Sequence, residues 1–280
     1  MMMNQIPGSE TNSHGLRIGA VSYLNTKPLI YGLKDDFSQE DRLSLALPSR
    51  LADELRSGQL DVALIPSIEY FQEMDYGIVS DACIACCGPV WSVKILFRVP
   101  PSQVQTMALD EGSRTSVALG KILLAEKHGI SPRCVPLPID QDPHTVEADA
   151  LLIIGDRAMR AAPPTFVEEW DLGEEWFRWT GLPFVFAMWV AKIGACSADW
   201  EWRLSAARDR GLAASQAIAF ESAQAYGISV EQCHRYLTYH LRFFLGSQEK
   251  RGLQLFYEKA VQHGLAPSGR VVPNSCVVTA

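Results

Sequence analysis

The pattern that most constrains the fold is an alternation of short apolar runs with helix signals over residues 18–87. The run Ile18 to Val21 ends at a polar loop, and Pro28 follows where a helix would begin. A helix that begins near Pro48 is followed by a second apolar run, Asp61 to Pro66. This strand–helix–strand–helix order predicts an α/β fold with a mostly parallel sheet.

A second group of strands and helices is predicted between two strands that cross from one lobe to the other. Gly88 to Val99 alternates apolar and polar side chains, and Phe184 to Ile193 forms the returning strand. Buried strands are predicted between them at Thr106–Leu109 and Ala150–Ile154. We therefore predict two hinged lobes with a ligand cleft between them. The predicted boundaries are 1–15 for a disordered N-terminal extension, 16–98 plus 188–265 for lobe 1, 99–187 for lobe 2 and 266–280 for a C-terminal tail.

The chain from Asp199 onward is predicted to be helical and to close the first lobe. Ser229 and Gln232 have the spacing of a capping box. The long helix that starts there is predicted to end near Gly246.

Composition excludes several classes of protein. The formal net charge of −7 gives no support to a nucleic acid or an acidic membrane as partner. No apolar run reaches the length of a membrane span. Residues 1–15 have no apolar signal core, and the seven cysteines are an odd number, so we expect reduced thiols in a cytoplasmic protein. Cys83 and Cys86 form a CxxC pair without a second pair or a nearby His, which favours buried structural thiols over a metal site.

Four polar clusters lie at strand-to-helix junctions or on a crossing strand. They are Ser22, Asn25 and Thr26; Ser92; Ser113, Arg114, Thr115 and Ser116; and Thr180. Hydroxyls and free N–H groups at a helix N-terminus, as in residues 113–116, favour an anion such as a carboxylate. The alternatives are plain helix capping at 113–116, a turn role for Asn25 and a structural hydroxyl at Ser92. The residues alone indicate a two-lobe binder of a small anion, with any catalysis relying on orientation.

Six motifs in order resemble those of the MqnA family, the chorismate dehydratases of the futalosine route to menaquinone. They are residues 21–29, 61–66, 88–93, 113–116, 154–156 and 171–189, and the resemblance runs from about residue 16 to residue 265. It implies a periplasmic-binding-protein type II fold in a cytoplasmic hydro-lyase without a cofactor. The implied reaction converts chorismate to 3-[(1-carboxyvinyl)oxy]benzoate and water.

The resemblance also implies how the site works. The enolpyruvyl carboxylate of the substrate would remove the C3 proton, and aromatisation would supply the driving force, so the protein mainly positions the reacting groups. Asn25 would polarise the reacting region, and Ser92 would bind a carboxylate or the leaving hydroxyl. The expected substrate contacts are Ser22, Thr26, Ser113, Arg114, Thr115, Ser116, Asp156 and Thr180.

Three other functions compete with this interpretation. A solute-binding receptor for a small anion would share the fold, but it would normally carry an export signal or a lipidated cysteine. The sister enzyme that makes dihydroxynaphthoate is disfavoured by the Tyr-Leu-Asn motif at 23–25 and the Ser-Arg-Thr-Ser motif at 113–116. A transcriptional effector-binding domain would need a DNA-binding module, which the sequence does not indicate.

Overall fold

Two β-sheets organise the residues that the computed structural model describes, which are 15–159 and 165–275. The strands are β1 (Arg17–Val21), β2 (Arg42–Ala46), β3 (Val62–Pro66), β4 (Tyr76–Cys86), β5 (Val93–Phe97), β6 (Thr106–Asp110), β7 (Arg133–Leu137), β8 (Ala150–Ile154), β9 (Glu168–Asp171), β10 (Phe184–Lys192) and β11 (Arg242–Phe244). The α-helices are α1 (Pro48–Arg56), α2 (Ser67–Tyr70), α3 (Arg114–His128), α4 (Leu172–Thr180), α5 (Asp199–Ala213), α6 (Ser215–Tyr226), α7 (Val230–Arg235) and α8 (Ser247–Gln262).

Each lobe is built on one sheet. The first sheet has the strand order β11-β4-β10-β3-β1-β2, and the second has the order β7-β6-β8-β5-β9. Strand β1 pairs in parallel with β2 and β3, as the strand–helix alternation predicts. Strand β10 runs antiparallel to both of its neighbours, β3 and β4, because it returns from the second lobe. The α/β two-lobe architecture is therefore as predicted.

The sheets divide the chain at different residues from the predicted boundaries. Strand β5 pairs with β8 and β9, so residues 93–97 belong to the second lobe and not to the first. Strand β10 pairs along its length with the first sheet, whereas the predicted boundary before residue 188 cut it in two. The alternating pattern of residues 88–99 was misleading because all five residues of β5 are buried between strands and helices.

The C-terminal region differs from the predicted long helix. The capping box is present, since Ser229 and Gln232 exchange hydrogen bonds, but α7 ends at Arg235. One turn of π-helix, Tyr236–His240, follows and leads into β11. Strand β11 pairs with the outer edge of β4, and this pairing satisfies backbone groups that an edge strand would otherwise leave open.

The two predicted terminal segments are only partly within the described residues. Residues 1–14 of the predicted extension and 276–280 of the predicted tail lie outside them. The described part of the tail packs on lobe 1, because Arg270 donates hydrogen bonds to the carbonyls of Tyr70, Glu73 and Tyr76. In the described ranges, no helix has both the length and the apolar character needed to cross a membrane.

Helix α3 of the second lobe is ion-paired to the first lobe at both ends. At its N-terminal end, Arg114 Nη2 lies 2.8 Å from Asp53 Oδ2, and Arg114 Nη1 lies 3.2 Å from Glu69 Oε2. At its C-terminal end, Glu126 Oε1 lies 2.8 Å from Lys259 Nζ on α8. These pairs join the second lobe to the first at both ends of α3.

Candidate functional site

A cavity between the two sheets is the candidate site. The cavity is small, with a volume of about 50 Å³. Both lobes contribute to the walls. The polar lining comes from Tyr23, Asn25, Ser92, Ser113 and Ser116, and the apolar walls include Val21, Pro48, Ile84, Val90, Ile154 and Phe186.

The loop after β1 presents Asn25 to the cavity. Residues Leu24–Ile30 form a 3₁₀ turn, which the N–H of Thr26 helps to close on the carbonyl of Tyr23. Thr26 is buried behind this turn, and its hydroxyl donates to Asn25 Oδ1 at 3.4 Å. Thr26 therefore supports Asn25 and does not line the cavity itself.

Ser92 and Asn25 meet at a third side chain, Tyr236. The Tyr236 hydroxyl donates to Ser92 Oγ at 2.8 Å. Burial raises the pKa of Tyr236, and the side chains of Ser92 and Asn25 act against that rise. Sequence reasoning missed Tyr236, since a continuous helix through residue 236 gave no reason to place it beside Ser92.

The backbone before Ser92 is fixed by Asp171. Its two carboxylate oxygens accept from the N–H groups of Val90 at 2.9 Å and Trp91 at 2.6 Å. The same carboxylate caps α4 by accepting from Gly173 and Glu174. Trp91 has a φ of 67°, a left-handed conformation that a non-glycine residue adopts at an energetic cost. Asp171 therefore holds a strained turn that places Ser92 at the cavity.

The four residues 113–116 have two roles: two of them line the cavity, and the other two contact the first lobe. Ser113 caps α3 by accepting from the N–H of Ser116, and its hydroxyl donates to Ser116 Oγ at 2.6 Å. Both of these serines line the cavity. Thr115 instead accepts from the N–H of Ile68 at 3.1 Å, and Arg114 makes the ion pairs to lobe 1 described above. Thr115 and Arg114 thus join the lobes and do not line the cavity.

Ser22 and Thr180 do not reach the cavity. Ser22 is exposed, and its N–H donates to the carbonyl of Ala46. The hydroxyl of Thr180 donates to the carbonyl of Trp176 and accepts from the N–H of Leu182, which closes the end of α4. Neither residue lines the cavity, and their contact with a substrate stays a prediction.

Asp156 lies beside the cavity, next to the lining residue Gly155. The backbone N–H of Leu24 and the charge of Lys27, both in the other lobe, face this carboxylate. Its Oδ1 is buried without a hydrogen-bond partner among the described residues. Burial raises the pKa of Asp156 to about 6, against the opposing effects of the Leu24 N–H and the charge of Lys27.

Tyr23, also in the loop after β1, lines the cavity. Two glycines of lobe 2 leave space for its side chain. A Cβ atom on Gly155 would lie 3.1 Å from the Tyr23 ring, and one on Gly112 would lie 2.9 Å from its hydroxyl. The buried hydroxyl of Tyr23 has no partner among the described residues, and burial raises its pKa. A bound molecule with an acceptor oxygen could use this free donor.

The lining is rich in donors and contains no ordinary base. The cavity walls hold no His, Cys, Asp or Glu in the described part of the chain, and nowhere in that part do three or more such residues group to hold a metal ion. Cys83 and Cys86 are buried, as predicted, and burial raises the pKa of both thiols. The site is therefore suited to bind a hydroxylated or carboxylated molecule by hydrogen bonds.

Comparison with solved structures shows the fold. The protein AF1704 from Archaeoglobus fulgidus superposes with a TM-score of 0.72 at 18% identity, covering 91% of this chain and 99% of that one. The periplasmic aliphatic sulphonate binding protein SsuA from Escherichia coli gives a TM-score of 0.58 at 13% identity, covering 92% and 95%. The predicted periplasmic-binding-protein-like fold is confirmed.

Comparison of sequences shows the family. A chorismate dehydratase from Thermus thermophilus is 30% identical over 263 residues, covering 86% of this chain and 93% of the relative. A chorismate dehydratase from Campylobacter jejuni is 27% identical over 178 residues, covering 60% and 64%. A family model described as menaquinone biosynthesis matches residues 16–262. The chain therefore belongs to this menaquinone biosynthesis family.

Proposed function

We propose that this protein is a chorismate dehydratase, a hydro-lyase that converts chorismate to 3-[(1-carboxyvinyl)oxy]benzoate and water. One observation carries the proposal: the cavity is lined by hydroxyl and amide donors without a titratable base. That lining suits a dianionic substrate that supplies its own base. The alignment of 86% of this chain with a chorismate dehydratase supports the same conclusion.

The reaction needs orientation more than it needs a protein base. The enolpyruvyl carboxylate of chorismate takes the C3 proton, the C–H electron pair completes the aromatic ring, and the C4–O bond breaks. The proton and the hydroxyl leave together as water, so the step is redox-neutral and needs no electron acceptor. Holding the reacting groups at close distance removes much of the entropic part of the barrier.

The protein's part is to hold and stabilise negative charge. Asn25 and Ser92 are adjacent through Tyr236 and supply donors where charge develops during the reaction. Ser116, in the first turn of α3, provides a hydroxyl donor for one of the carboxylates of the substrate, because Ser113 already donates its own proton to Ser116 Oγ. The described cavity walls contain no carboxylate, so the dianionic substrate meets no repulsion from a like charge there. We further propose that the enzyme works in the cytoplasm at the first step of the futalosine route to menaquinone.

The test is to incubate the purified protein with chorismate and to follow ultraviolet absorbance and product mass. The proposal expects an aromatic product that is one water lighter than chorismate, formed in proportion to enzyme concentration. Asp140→Asn, an exposed change that removes one charge, is the matched control and should have the activity of the wild type. Chorismate that binds but is recovered unchanged would contradict the proposal and would favour a solute-binding protein.

A further inference from the structure

Tyr236 is far from Ser92 and Trp91 in the sequence, but it contacts both of them in the fold. It lies at the start of the π-helical turn between α7 and β11, and its side chain is 1% exposed. Its ring packs edge-on against Trp91 with centroids 5.7 Å apart, while its hydroxyl reaches Ser92 Oγ at 2.8 Å. The ring and the hydroxyl therefore make separate contacts that can be tested separately.

The bond from Tyr236 fixes the direction in which Ser92 can donate. A serine hydroxyl has one proton and two lone pairs, and here one lone pair is used by the Tyr236 proton. Ser92 Oγ donates to no other described residue, Ser92 is 1% exposed, and it lines the cavity. The proton of Ser92 is thereby left to be donated to an acceptor in the cavity.

We propose that Tyr236 is a positioning residue that acts through Ser92 by setting the direction of the hydrogen bond that Ser92 offers to the substrate. This inference rests on the proposed function, because its readout is turnover of chorismate. Asp171 and Trp91 fix where Ser92 lies, and Tyr236 fixes which way its proton points. Losing the Tyr236 hydroxyl leaves the cavity wall in place and frees only the Ser92 hydroxyl to rotate.

The test is Tyr236→Phe, alone and in a Ser92→Ala background, with kcat and KM measured for each enzyme. Phe keeps the ring against Trp91 and removes only the hydroxyl. We expect kcat to fall by about tenfold, the cost of one lost hydrogen bond in the transition state, with KM little changed. In the Ser92→Ala background, the same change should have a much smaller effect, because residues that act through one another are not additive. Tyr239→Phe, an exposed tyrosine in the same π-helical turn, is the control and should have wild-type kinetics.

Each outcome decides the inference. Wild-type kcat in Tyr236→Phe, or an equal loss in both backgrounds, would overturn it. If Tyr236→Phe does not fold, 4-fluorophenylalanine at position 236 replaces it, since fluorine fills the space of the hydroxyl without its proton: a fall in kcat that disappears with Ser92→Ala supports the inference, and an unchanged kcat overturns it. A wild-type protein without turnover of chorismate would overturn the proposed function, and this inference with it.

Discussion

Asn25 is the side chain on which the proposed chemistry depends most. Its neighbours Thr26 and Tyr236 are buried, so the carboxamide is held from behind while it faces the cavity. Its removal should therefore affect turnover more than folding.

We predict that Asn25→Ala lowers kcat by about 10²- to 10³-fold, the usual cost of losing one donor that stabilises developing charge. The melting temperature should change little, because the bond to Thr26 is long, at 3.4 Å. Initial rates with chorismate and thermal unfolding test this prediction. Asn274→Ala, an exposed asparagine near the C-terminus, serves as control. Near-normal turnover in Asn25→Ala would exclude the role.

Asp156 provides a prediction about pH. Burial raises its pKa to about 6, so the folded protein binds this proton more tightly than the unfolded chain does. Folding stability therefore falls as pH rises from about 4 to 6, and the loss is complete above that range. Asp156→Asn is neutral at every pH and has nearly the same shape as the carboxylic acid. We expect this variant to melt higher than the wild type at about pH 8 but not at about pH 4.

The control for that experiment is Asp140→Asn, which makes the same change of charge at an exposed site. Differential scanning calorimetry at both pH values measures the effect. A lower melting temperature for Asp156→Asn at about pH 8 would show that attraction to Lys27 outweighs burial.

The sequence predicted about half of the candidate site. Asn25, Ser92, Ser113 and Ser116 line the cavity because strand ends and a helix N-terminus meet at the cleft. Thr180 does not line the cavity, and its hydroxyl donates to the carbonyl of Trp176 at the end of α4, a local role that its sequence position fits equally well. Tyr236 has no local signal, since its importance comes from a partner 144 positions away in the sequence.

Among the elements, α4 and the turn before β5 are linked through one carboxylate. Oδ1 of Asp171 caps α4 and accepts from Val90, and Oδ2 accepts from Trp91. An asparagine could keep the three bonds of Oδ1, but it would place an NH₂ group against the Trp91 N–H. Substitution of Asp171 can therefore test its role as the cap of α4 separately from its role in holding the turn before β5.

We predict that Asp171→Ala loses both functions, with a fall in stability of about 2 kcal/mol or more and a loss of turnover. Asp171→Asn should keep more of the stability and still lose turnover, because the turn that carries Ser92 is no longer held. Chemical denaturation and chorismate kinetics on the two variants check this. Turnover that tracks stability equally in both variants would contradict it.

The helices and strands were predictable where the sequence signal lies within a few residues. They were not predictable where a strand depends on pairing with a strand that is distant in the sequence. The strands β1, β3 and β8 and the helices α1 and α3 follow from apolar runs and end signals that lie within a few residues. β11 was predicted as helix because its sequence carries no strand signal strong enough to show that β4 offers a free edge.

At the scale of the whole molecule, two groups of ion pairs, one at each end of α3, join the two lobes. Arg114 binds Asp53 and Glu69 at one end, and Glu126 binds Lys259 and His263 at the other. Lobe opening must break at least one of these groups. Each exposed pair contributes only about 0–1 kcal/mol, so the groups should matter most in combination.

We predict that the double variant Arg114→Gln/Glu126→Gln has a higher KM with little change in kcat, because part of the binding energy must then close the lobes. Small-angle X-ray scattering without substrate should show a larger radius of gyration. Arg50→Gln, which breaks an ion pair to Glu54 within α1, is the matched control. A double variant with the KM and radius of the control would contradict the prediction.

The return of β10 and β11 to the first sheet sets an order of assembly during synthesis. The second sheet is formed by the continuous segment 93–171, so all its strands have been made before β10 leaves the ribosome. The first sheet cannot be completed until the chain has been synthesised to residue 192, because β10 lies between β4 and β3. Ser92 gains its hydrogen-bond partner only when Tyr236 has been synthesised. The lobe inserted in the middle of the chain can therefore mature first, and the lobe that begins the chain is finished last. A nascent chain that stops before α7 carries most of the cavity wall but not the hydroxyl that orients Ser92.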